Sequence, residues 1–117
     1  MLVVLDTNVL LSALISPHGH PDTIYRAWRT ARFEIVTSVT QLDELRRASR
    51  YEKFKAILQP HHVGAMLNNL QRARVLEHLV GEADYLVTGD HRAGLLQRGH
   101  FNRTRIVTPA VFCAEAL

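Results

Sequence analysis

Short apolar runs alternate with helical stripes along this chain. Leu2-Val3-Val4-Leu5 is an unbroken valine-rich run of the kind buried on both faces of a parallel sheet. Asp6-Thr7-Asn8 follows, three residues that favour helix N-caps, and then Val9, Leu10, Leu11, Leu14 and Ile15. The pattern predicts strand, tight turn, helix. Ser16 to Pro21 is a loop by its Pro and Gly content, and Ile24, Ala27, Trp28 and Ala31 then predict a helix over 22–31. Phe33 to Val36 predicts a second strand. Ser38-Val39-Thr40-Gln41 has capping-box form and opens a helix carrying Val39, Leu42 and Leu45. A helical pattern through Tyr51, Phe54 and Leu58 stops at Pro60, which starts another bearing Val63, Leu67 and Leu70. Between residues 71 and 82, a helix through Val75, Leu76, Leu79 and Val80 ending at Gly81 competes with a short strand near Arg74 to Leu76. Tyr85 to Thr88 and Arg105 to Val107 are further strands, and Thr108-Pro109 caps a closing helix from Ala110 to Leu117.

Strands alternating with helices predict an α/β fold, a parallel sheet of about four strands between helices. The 117 residues suffice for one domain with one core. With 47% hydrophobic and 21% charged residues and no low-complexity stretch, disorder is excluded. Cys113 stands alone, which rules out an intramolecular disulfide or a thiolate cluster, and reads as a small core residue. The first apolar run has no basic flank and is stopped by Asp6. It is too short for a signal peptide or a membrane span, so the expected location is the cytoplasm, with no membrane partner.

A net charge of +3 is a mild excess that permits a phosphate-rich partner without demanding one. Basic residues cluster in Arg46-Arg47 with Arg50, Lys53 with Lys55, Arg72 with Arg74, and Arg103 with Arg105. Helical clusters of this kind ordinarily form solvated faces. The histidine pairs His18/His20 and His61/His62 lack the spacing of a helical zinc motif, and His91 merely adjoins Asp90. Neither a Gly-rich phosphate loop nor a Gly-x-Ser-x-Gly elbow is present.

In open α/β sheets ligands bind beyond the carboxyl ends of the strands. Asp6 closes the first strand, and Asp90 follows Tyr85–Thr88 after one glycine. Either aspartate alone reads equally well as an N-cap; two at homologous strand ends point to a site. Paired carboxylates repel unless a cation lies between them, and oxygen ligands suit Mg²⁺ or Mn²⁺. Such an ion polarises a phosphodiester and activates water for in-line attack, with no nucleophilic side chain required. The helix after Ser38 offers Asp43 and Glu44 as a third acid. Both lie roughly 130° from the centre of the apolar stripe, on opposite sides, so periodicity leaves the choice open.

Val4-Leu5-Asp6-Thr7-Asn8-Val9-Leu10-Leu11-Ser12-Ala13-Leu14 resembles the opening of a PIN domain, the fold of the VapC-type toxin ribonucleases. Ala83-Asp84-Tyr85-Leu86-Val87-Thr88-Gly89-Asp90 and Arg105-Ile106-Val107-Thr108-Pro109-Ala110-Val111-Phe112 are similar to its closing motifs. The resemblance runs nearly end to end, so residues 1–117 are expected to form a single PIN-like domain, most similar to the toxin–antitoxin branch. It implies Asp6, Glu44 and Asp90 as the metal-binding catalytic acids. Asn8 and Thr88 match polar positions that hydrogen-bond those carboxylates. Mg²⁺ or Mn²⁺ as cofactor, RNA as substrate, an antitoxin protein as partner and a homodimer are implied with them.

The segment 71–82 departs from the family pattern. It is shorter than usual, which implies the loss of a sheet strand and of a further acid, with Glu77 as an imperfect substitute, and a partly uncovered sheet edge. Two expectations follow: a metal-dependent endoribonuclease, or a PIN fold that has lost catalysis and serves as an RNA-binding or protein-interaction module. A phosphatase using Asp6 as nucleophile would want a second aspartate where Asn8 stands.

Overall fold

The computed structural model of the protein describes residues 1–75, 83–89 and 99–117. In chain order the elements are β1 (Leu2–Leu5), α1 (Thr7–Ile15), α2 (His20–Arg29), β2 (Glu34–Thr37), α3 (Val39–Ala48) and α4 (Glu52–Lys55). They continue with α5 (Pro60–Leu70), β3 (Arg74–Val75), β4 (Tyr85–Val87), β5 (His100–Phe101), β6 (Thr104–Val107) and α6 (Pro109–Ala116). One sheet runs in the order β3-β2-β1-β4-β6-β5. Its centre is the expected set of four parallel strands, β2-β1-β4-β6, with Leu5 level with Val87 and Val87 level with Val107. Two-residue strands extend both edges. β3 pairs parallel to β2, so the strand that the shortened segment was expected to lose is present at Arg74–Val75. β5 pairs antiparallel to β6. The helix expected to end at Gly81, and Glu77 within it, lie outside the described residues.

Period-2 alternation sorts the strand residues into two clusters. Val3, Leu5, Ile35, Val87 and Val107 face the larger one. Val4, Val36, Leu86 and Ile106 face the smaller one on the other side. Every described helix contributes to the larger cluster, where Leu10, Ile24, Leu45, Met66, Leu70 and Phe112 are essentially inaccessible. Phe112 anchors α6 there by edge-to-face contacts with Phe33 (5.4 Å) and Tyr85 (5.1 Å).

Several local expectations shift. α2 starts at His20, with Pro21 in its first turn, and ends at Arg29; Ala31 adopts φ 62°, which an α-helix does not admit. Val39 is 65% exposed, because the core side of α3 is Leu42, Leu45 and Ala48. The pattern through Tyr51, Phe54 and Leu58 yields only the four residues of α4, with Leu58 buried in the turn beyond it. β5 had no counterpart in the sequence pattern. It is closed by the two-residue loop Asn102-Arg103, where Asn102 takes φ 52°.

The amino ends of three strands converge on Asp84. Its Oδ2 accepts the Leu2 amide at 2.7 Å and its Oδ1 accepts Arg103 at 2.7 Å, while its own amide donates to Leu2 O and its carbonyl accepts from Arg105. The Leu2 amide and then the Arg103 guanidinium hold the Asp84 carboxyl below its ordinary value, against partial desolvation. A depressed carboxylate contributes stability that is present above the unfolded-state pKa of about 3.9 and is lost as pH falls through the lower folded value. Asp84→Asn should therefore lower stability by about 1 kcal/mol at neutral pH in urea melts, a deficit that shrinks below about pH 4.

Gly64 lies mid-way along α5, and outside its own helix no atom stands within 4 Å of the place a Cβ would take. Gly64→Ala should raise stability by about 0.5–1 kcal/mol in the same melts, by helix propensity and reduced chain entropy.

Candidate active site

The sheet order places β1 at the point where the chain reverses its direction of travel. β2 and β3 are added on one side of β1, and β4 and β6 on the other. The loops leaving β1 and β4 therefore diverge and open a crevice at their carboxyl ends. Asp6 stands in the first of these loops, Thr88 and Gly89 in the second.

Asp6 occupies the N-cap position of α1, but its side chain caps nothing. The carboxylate turns instead to β4, where Oδ2 accepts the Thr88 hydroxyl at 2.9 Å. The main chain fixes the pair. Asp6 N donates to Val87 O at 3.0 Å, Asp6 O accepts Val9 N and Leu10 N, and Thr88 N donates to Val107 O at 2.9 Å. Thr88 is 2% exposed, so its hydroxyl is held by a packed environment. Asp6 Oδ1 makes no hydrogen bond to the described residues.

Gln41 ties α3 to the same edge. Its Nε2 donates to Leu5 O, and its Oε1 accepts the Thr37 hydroxyl at 2.6 Å. The capping box is thus half used: Ser38 Oγ accepts Gln41 N at 3.0 Å, while the Gln41 side chain reaches across to β1 rather than back to Ser38. Gln41 was legible only as a capping residue; its capping-box position put it on the sheet-facing side of the helix.

The observed core side of α3 also separates the two acids. With Leu45 at the centre of the buried stripe and roughly 100° per residue, Asp43 points roughly 160° away from it and Glu44 roughly 100° away, on Gln41's flank. Asp43 is engaged by Arg46 at 3.0 Å. Glu44 is exposed on the flank nearest the crevice. Asn8 is exposed on the first turn of α1. Asp90 and His91 lie outside the described residues.

Oxygen donors dominate this edge: a carboxylate at Asp6, hydroxyls at Thr88 and Thr37, and an amide at Gln41. That chemistry suits a hard divalent ion and no soft one. Among the described residues, no three His, Cys, Asp or Glu side chains gather closely enough to hold a metal. Cys113 sits half-buried on α6 with its Sγ 3.8 Å from His20 O. Burial pushes its thiol up, which argues against a nucleophile. One of the basic clusters is structural: Arg103 pairs with Asp84, and Arg105 with Glu115. No described helix is long and apolar enough to cross a membrane.

A family model described as "PIN domain" matches residues 2–78, about two thirds of the chain. The chain belongs to the PIN domain family. No curated protein and no solved structure matches it. PIN domains have a nuclease-type fold and generally depend on a divalent metal. The matched stretch takes in Asp6, Gln41 and Glu44 of this PIN domain and stops short of Thr88.

Removing the Thr88 hydroxyl tests how firmly this edge is built. Thr88→Val should cost about 1 kcal/mol in urea melts, and Thr88→Ser should recover most of that loss, since it restores the donor to Asp6.

Proposed function

We propose that the protein is a metal-dependent endoribonuclease, the toxin half of a toxin–antitoxin pair, that hydrolyses RNA phosphodiesters. One observation carries the reading. The Asp6 carboxylate, at the reversal point of a PIN sheet, is not spent on capping its helix; Thr88 holds it, and one oxygen has no hydrogen bond to the described residues. Asp6, Glu44 and Asp90 are the residues that would hold Mg²⁺ or Mn²⁺. The bound ion supplies charge that polarises a phosphodiester and activates water. Thr88 fixes the orientation of the Asp6 carboxylate, Asn8 offers a polar group at the mouth of the crevice, and Gln41 keeps α3, and with it Glu44, against β1. An antitoxin partner and a homodimer belong to the same reading, supported by the sequence resemblance.

A second reading, a PIN fold that binds RNA or a protein without cutting, draws on the lack of a three-acid cluster among the described residues. Calorimetric Mn²⁺ titration and cleavage of a labelled RNA, on wild type and Asp6→Asn, separate the two. Asparagine can still accept the Thr88 hydroxyl, so the variant should fold. The nuclease reading predicts that wild type binds Mn²⁺ and cleaves with chelator sensitivity, and that Asp6→Asn loses both. Wild type inert at millimolar Mn²⁺ would leave the binding reading in its place.

A further inference from the structure

The larger cavities among the described residues lie on the outer side of α3, away from Asp6. One of about 430 Å³ opens between α3, α4 and α5; Arg46, Arg50 and Lys55 stand at its rim, and Leu58, Val63 and Leu67 form its apolar wall. A second, also about 430 Å³, runs along α3 and is lined by Thr40, Asp43, Arg46, Arg47 and Arg50. Arg46 and Arg50 belong to both, so the two form one continuous groove.

Helical geometry joins this groove to the candidate active site. Arg47 is one turn beyond Glu44, and Thr40 one turn before it, on the same flank. Arg50 lies in the turn that closes α3, its amide bonded to Arg47 O at 3.1 Å, and Arg46 follows Arg47 round the helix on the far flank. Arg26, Arg103 and Arg105 are ion-paired, and Arg29 lies over Trp28. Arg46 and Lys55 have exposed acid partners on their own helices. Arg47 and Arg50 have no ion pair with the described residues, a state they share with Arg32 and Arg72, but only they stand together at a cavity beside Glu44's helix.

We infer that this groove is a binding subsite for single-stranded RNA flanking the cleaved bond, in which Arg47, Arg50 and Arg46 take successive phosphates and the cavity against Leu58, Val63 and Leu67 seats an unpaired base. Its identification of the strand as substrate rests on the ribonuclease reading. Three features favour it. Cations that begin one turn from a site carboxylate meet a polyanion leaving that site. The volume lies within the range of small-ligand pockets. Guanidinium planes are faces on which splayed bases stack, and the aliphatic wall of Leu58, Val63 and Leu67 beside them gives the base an apolar seat.

The experiment measures anisotropy of a labelled oligouridylate in chelator, where cleavage is silent, across a salt series. Arg50→Glu should weaken binding about tenfold and reduce the salt slope by about 0.7 for each phosphate that is no longer neutralised. Gly64→Leu, which fills the open space in the cavity wall without changing charge, should weaken RNA binding severalfold at an unchanged salt slope. A Cβ at this position meets no atom within 4 Å outside its own helix, and leucine favours the helix over glycine, so the variant is expected to fold, which a urea melt checks. Affinity unchanged in both variants would overturn the subsite. So would equal wild-type affinity for an oligoglutamate of matched charge, which would make the groove a seat for an acidic protein. Cleavage in Mn²⁺ is read separately. A wild type that cleaves, with KM unmoved in Arg50→Glu and Gly64→Leu, defeats the subsite and leaves the nuclease; one that binds as predicted but never cleaves defeats the nuclease and leaves the subsite.

Discussion

Everything at the candidate site depends on the parallel contact between β1 and β4, pinned by a carboxylate at each end. At the amino ends Asp84 gathers the Leu2 amide and Arg103, and so holds β1, β4 and the β6 hairpin level. At the carboxyl ends Asp6 takes the Thr88 hydroxyl, and the main chain passes hydrogen bonds from Asp6 to Val87 and from Thr88 to Val107. In a parallel sheet a one-residue slip would exchange the two buried faces. It would send Val87 to the smaller cluster and carry Thr88 away from Asp6. Register and site geometry are therefore the same constraint.

The two carboxylates do different work. Asp84 has both oxygens engaged and is held ionised by an amide and a guanidinium, which makes it a structural anchor. Asp6 has one oxygen with no hydrogen bond to the described residues, at the crevice of an open α/β sheet. An aspartate in an N-cap position that declines to cap gives up a contribution of about 1 kcal/mol to helix stability. That local sacrifice, beside a buried threonine that orients the carboxylate, is what the proposed metal-binding role of Asp6 draws on. α3 links the site to the groove: Gln41 fastens it to β1, Glu44 is exposed on the same flank as Gln41, and its arginines continue outward from there.

The central strands were legible because valine-rich runs bounded by Asp or Thr have few other uses, and both faces of each run prove buried. Asp6 was legible by its place at a strand end, although capping competed with it. The choice between Asp43 and Glu44 was not, since Val39 entered the apolar stripe and displaced its apparent centre; once Val39 is seen to be exposed, the two acids separate. β5 escaped because a two-residue strand carries no periodicity, and only Asn102 marked its turn. α4 proved shorter than its pattern because Tyr51 and Ile57 face solvent and leave Phe54 alone to hold it. Gln41 could be read as a cap and not as a tie to β1, for a long-range bond leaves no trace in local spacing. Arg103 and Arg105, read as a basic cluster, are absorbed by Asp84 and Glu115.

The most direct test of the central claim is to titrate the ¹⁵N-labelled protein with Mn²⁺ and locate the amide signals that broaden. The account predicts broadening centred on Asp6 to Asn8 and on Thr88 and Gly89, reaching Gln41 and Glu44 on α3. Broadening confined to His61 and His62 or to His18 and His20, with the β1 and β4 ends untouched, would contradict it.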